Sequence, residues 1–152
     1  MKRLFLAAGL TIAAAAPASA DWEYTRWGMT AEQVISASGG RAHAMPASRR
    51  YRDDAGHFEI TVDASDPGPP RTSIGFQFGL PSGGLQCVLI NATGSDADGL
   101  LARFLERYGA PDSDDSLGPT RMLEWHRADT IELTANAAPK AAVVNQCQPG
   151  RS

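Results

Sequence analysis

The chain is poor in cysteine and lysine, and each shortage narrows what it can do. After residue 3 the only lysine is Lys140, and the whole sequence carries a net charge of -3. A nucleic-acid surface or a polybasic membrane patch needs a basic excess, so neither is expected. Beyond the first stretch no apolar run is long enough to span a bilayer. There is no G-x-S-x-G elbow to hold a serine nucleophile and no glycine-rich phosphate loop of the P-loop or dinucleotide type. Gly39-Gly40 ends a predicted helix instead of opening one, which is the wrong end for a phosphate. With no C-x-x-C either, the sequence reads as non-enzymatic and needing no cofactor.

The first twenty residues do carry a signal. Met1-Lys2-Arg3 is a basic start, Leu4 to Ala16 is apolar or small, and Ala18-Ser19-Ala20 is an A-x-A cleavage site. This predicts a Sec-type secretory leader cut after Ala20, leaving one domain over 21–152 in the periplasm or outside the cell. Losing the two positive charges of Lys2 and Arg3 takes the -3 of the whole chain to about -5. No cysteine stands at the cleavage point, so lipid anchoring is not expected, and no transmembrane segment follows. Cys87 and Cys147 are the two cysteines, and in an oxidising compartment they are expected to pair. Closing so long a loop is worth roughly 4 kcal/mol on entropic grounds.

The pattern of the rest predicts an α+β domain. Trp22, Tyr24 and Trp27 crowd ahead of a first helix and are expected to plug a core edge. Thr30 and Gln33 form a capping box for that helix, over about 31–38, and Gly39-Gly40 stops it. Residues 57–64 alternate, with Phe58, Ile60, Val62 and Ala64 expected on one face. Ile74, Phe76 and Phe78 mark a second strand, and 85–90 is apolar enough for a central one. A second helix is expected after Ser95 as cap, with Leu100, Leu101, Phe104, Leu105 and Tyr108 as its apolar stripe and Gly109 and Pro111 as its end. Residues 112–119 read as an acidic loop, and strands are expected over 121–127, 130–135 and 141–147, the first two as a hairpin.

Short connections make neighbouring strands antiparallel. The expected architecture is therefore a mostly antiparallel sheet of about six or seven strands with two helices on one face, a candidate αβββ duplication, and a second face open to a partner.

Two groups of residues are candidates for chemistry. His57, Glu59, Glu124, His126 and Asp129 are the acid–base types present. Glu124 and His126 share a strand face, so a metal or hydrolytic site needs His57 brought beside them. The plainer reading is a polar sheet face with paired charges. Arg49, Arg50, Tyr51 and Arg52 form the one local basic patch, which suits contact with an acidic partner or, more plainly, charges guarding an edge strand.

Trp27-Gly28-Met29-Thr30-Ala31-Glu32-Gln33-Val34, together with the helix end from Phe104 to Pro111, resembles a class of small exported bacterial proteins. More distantly the same motifs are similar to the SmpA/OmlA family of outer-membrane assembly components and to the β-lactamase-inhibitor-like fold of tandem helix-plus-sheet units. The resemblance implies a binding or envelope-associated module whose partner is an envelope protein or an enzyme it inhibits, and it brings no catalytic residues. The missing lipoprotein cysteine separates this chain from SmpA/OmlA. The rival expectations are a small hydrolase or metal-binding enzyme using His57, Glu124 and His126, and a carrier with an apolar cavity between sheet and helices.

Overall fold

The structure, a computed structural model, describes Trp22 and residues 24–150. The expected leader over 1–20 lies outside the described residues. Two helices, α1 (Ala31–Ala37) and α2 (Ser95–Tyr108), accompany nine strands: β1 (Ala42–Ala44), β2 (Tyr51–Arg52), β3 (Phe58–Asp66), β4 (Thr72–Gly79), β5 (Leu85–Thr93), β6 (Ser113–Leu117), β7 (Thr120–His126), β8 (Thr130–Ala137) and β9 (Lys140–Cys147). All pair antiparallel in a single sheet of order β1-β3-β4-β5-β9-β8-β7-β6, with β2 beside β3.

Read outward from the β5–β9 seam, the order is β5-β4-β3-β1 on one side and β9-β8-β7-β6 on the other. Each half is thus one helix followed by a meander running from an edge to the centre. β1 and β2 share the outer side of β3, separated by a 3-10 turn at Ala47–Arg49.

The strand count exceeds the six or seven expected, because β1, β2 and β6 are edge strands without an apolar pattern. β6 occupies the segment read as an acidic loop. An edge strand needs only one partner, and Ser-Asp-Asp-Ser-Leu is held by its ladder to β7 and by Arg121, which clamps Asp114 with both Nε (2.9 Å) and Nη2 (2.6 Å).

The first helix keeps its expected box: Gln33 N donates to Thr30 Oγ1 (3.3 Å), and Thr30 N donates to Gln33 Oε1 (2.8 Å). The second differs. Gly94 (φ 61°) is its N-cap and Ser95 its first helical residue, so the Ser95 cap is not made. Glycine supplies the positive φ that lets β5 turn directly into the helix.

One core joins both helices to the same sheet face. Val34 of α1 and Ala97, Leu100 and Phe104 of α2 pack in one cluster with Val62, Phe76, Ile90, Val144, Leu133 and Trp125. Trp22, Tyr24 and Trp27 pack against it half-buried, as the expected plug, and Met29 packs there too. Tyr24 lies against Phe76, and Gly28 N and Met29 O bond the backbone of Leu85.

Candidate functional site

The helices cover one face, and the register defines what the other presents. One row crosses the whole sheet as His43, Asp63, Gly75, Leu89, Asn145, Glu132, Glu124 and Ser113. A neighbouring row is Ser65, Ser73, Asn91, Val143, Thr134, Met122 and Asp115.

A bulge shapes this face. Ile60 pairs with Gln77 and Val62 with Phe76, so Thr61 is the extra residue between them. Val62 and Ala64 keep the core face. Phe58 and Ile60 turn to the open one, contrary to the expectation that all four share a face. Ile60 thereby becomes floor for a groove of about 620 Å3 that also takes in Leu89, Gly75, His43, Asp63 and Arg49. A Cβ on Gly75 would come within 3.2 Å of Ile60 Cγ2, so glycine leaves that floor unfilled. The groove is open to solvent, with an apolar floor and a few polar groups at its rim.

Sequence reasoning found only part of this site. Arg49 was a candidate, and it forms the groove rim by bridging to Asp63 (3.1 Å). His43 was not, since a three-residue edge strand gives no pattern to read, and neither was Asp63, which lies on β3, a strand legible only through its apolar alternation.

The rest of the basic patch is largely engaged. Arg52 pairs with Glu59 (3.2 Å), and Arg50 Nε donates to the Met45 carbonyl (3.1 Å). Tyr51 is 54% exposed and, opposite Ile60, stands on the open face. The patch is therefore a mixed rim and not a field of uncompensated positive charge.

The acid–base candidates are not brought together. His57 precedes β3 and His126 ends β7, with β4, β5, β9 and β8 between those strands. Five inter-strand steps put them roughly 24 Å apart. His57 Nδ1 lies 3.3 Å from Asp53, and His126 Nε2 lies 3.8 Å from Glu124. The Asp53 carboxyl is held below its ordinary pKa, chiefly by the Phe58 backbone N–H. Asp112, beside His126, is lowered chiefly by the His126 backbone N–H and then by Arg127. No group of three or more metal-ligating side chains is arranged for a metal among the described residues.

Asp129 has a different task. It is 6% exposed and accepts from Trp27 Nε1 (2.9 Å) and from the buried Gln146 Nε2 (2.8 Å). It ties the segment before α1 to the β7–β8 turn and to β9. Buried polar atoms are satisfied this way in cores, so its place is structural.

Cys87 and Cys147 are direct partners across the β5–β9 seam and form the expected disulfide. No helix among the described residues is long and apolar enough to cross a membrane. No protein-family model, curated protein or solved structure matches this chain.

Proposed function

We propose that the chain is a non-enzymatic binding module of the bacterial envelope, exported by the leader over 1–20, that engages an envelope protein or an enzyme it inhibits through the open sheet face. The observation that carries this reading is where apolar surface is left uncovered. The exposed large hydrophobic side chains among the described residues are Tyr51, Met122 and Leu117. All three stand on the helix-free face by register, as does the groove. They are single side chains spread across that face, and with the groove they are the apolar surface that the helices leave uncovered.

The two-fold strand order about the β5–β9 seam supports a tandem helix-plus-sheet duplication, in keeping with the SmpA/OmlA and β-lactamase-inhibitor-like resemblance. A buried disulfide supports an oxidising compartment. The hydrolase reading has no assembled site, and the sheet–helix interface a carrier would need is filled by Phe76, Leu100 and Trp125.

The test is in-cell crosslinking of the tagged protein exported through its own leader, followed by mass spectrometry. The variant R49A/R50A/R52A is expected to weaken capture of the dominant partner. Its melting temperature should fall by no more than about 5 °C, because the two exposed ion pairs lost contribute about 0–1 kcal/mol each and about 1 kcal/mol moves a domain of this size by roughly 3–5 °C. Unchanged capture would remove this rim from the interface, and reproducible absence of any partner would count against the binding module itself.

A further inference from the structure

We infer that the half of the open face built by β5–β9 docks a basic, amphipathic polypeptide segment of a partner, in which positive and apolar side chains alternate. This rests on the binding-module reading above and specifies the chemistry of the partner.

The basis is how charge is sorted between the two sides of this half. Its cations stand on the helix side or at the turn. Lys140 is bonded to Asp98 of α2, Arg121 to Asp114 and Arg127 to Asp112. Arg103 and Arg107 belong to α2 itself. The open side carries Asp115, Glu124 and Glu132, and among its described residues on β5–β9 there is no lysine or arginine. The one basic group there is His126, 3.8 Å from Glu124.

Glu124 and Glu132 are direct cross-strand partners. Like charges facing each other across a ladder are unfavourable in the isolated protein, and a cation laid over both relieves that repulsion. Apolar groups run alongside: Met122 and Val143 stand in the adjacent row, with Thr134 between them and Asp115 at its end, and Leu117, 76% exposed, lies at the edge. The Glu124–Glu132 pair beside the apolar Met122 and Val143 matches an extended segment whose basic and apolar side chains alternate. An anionic lipid surface or a nucleic acid would be repelled by the same carboxylates. A bare metal ion finds no group of three ligands among the described residues.

The test uses the full-length mature chain and two synthetic peptides, one alternating lysine with valine and one alternating glutamate with valine. The lysine peptide is expected to bind, with affinity that falls as salt is raised. Its amide shift changes are expected on β5–β9 open-face positions such as Met122, Glu132 and Val143. E124Q/E132Q should weaken it about fivefold, the effect of two partly screened ion pairs, while the melting temperature holds or rises. D98N/E106Q removes two charges from the helix side and should leave affinity unchanged.

Equal losses from the two double variants would reduce the effect to net charge and overturn the inference. So would tight binding of the glutamate peptide, shifts confined to the helix side, or calcium ions producing the same shifts as the peptide. If R49A/R50A/R52A abolishes partner capture while E124Q/E132Q leaves capture and peptide affinity intact, the binding module stands and this inference falls.

Discussion

Trp125→Ala is expected to destabilise the protein by about 3–5 kcal/mol, the range for deleting a buried aromatic. Trp125 is 0% exposed on the helix face of β7. Its ring lies 6.5 Å from Phe104 and 6.4 Å from Tyr108, and its Nε1 donates to the Gly109 carbonyl (3.0 Å). One side chain thus fastens both the apolar stripe and the C-terminal end of α2 to the second half of the sheet. Alanine would leave a large void and free the helix end together. Urea unfolding should show a lower midpoint with an unchanged slope. Trp125→Phe, which keeps the ring contacts and loses the indole N–H, should cost about 1–2 kcal/mol. A Trp125→Ala loss under about 1 kcal/mol would mean that α2 is held mainly by something else.

Removing the disulfide should be comparably severe. C87A/C147A is expected to lose up to about 4 kcal/mol, the loop-closure value for a sequence separation of 60. Cys87 and Cys147 join strands that belong to different halves of the sheet and share no other covalent link than the long chain through α2 and β6–β8. The loss should therefore appear as weaker amide protection along the whole β5–β9 seam, from Cys87 to Thr93. Full protection there in the double variant, with an unchanged unfolding midpoint, would assign the seam's stability to the ladder alone.

These two residues differ in how visible they are in the amino-acid order. Two cysteines have one intramolecular pairing available, so the disulfide follows from counting once an oxidising compartment is expected. The tryptophan is seen only as an inward-facing member of an alternating strand, and its ring partners on α2 come from tertiary packing.

The same division holds across the fold. α1 is legible because Thr30 and Gln33 cap it locally, and the stripe of α2 is legible because its period is unbroken. β6 is not, since Asp114 and Asp115 disfavour strand and only pairing to β7 puts them in one. The bulge at Thr61 is silent too. Strict alternation from Phe58 to Ala64 places all four apolar residues inward, and the structure sends Phe58 and Ile60 to the other side.

That reversal decides the candidate site. The groove floor needs Ile60 on the open face, and the row from His43 to Glu124 exists only because strands far apart in sequence come into register. Of the basic patch, Arg49 and Tyr51 are positioned to take part. His57 and His126 were paired by residue type alone, and the strand order separates them.

The most direct measurement of the central claim is site-specific photo-crosslinking in the producing cell. A photoreactive amino acid is introduced singly at Met122 or Tyr51 on the open face, or at Ala102 on the outer side of α2. A binding module working through its helix-free face predicts one discrete partner adduct from Met122 and Tyr51 and none from Ala102. The same adduct formed from Ala102 alone would contradict it and move the interface to the helices.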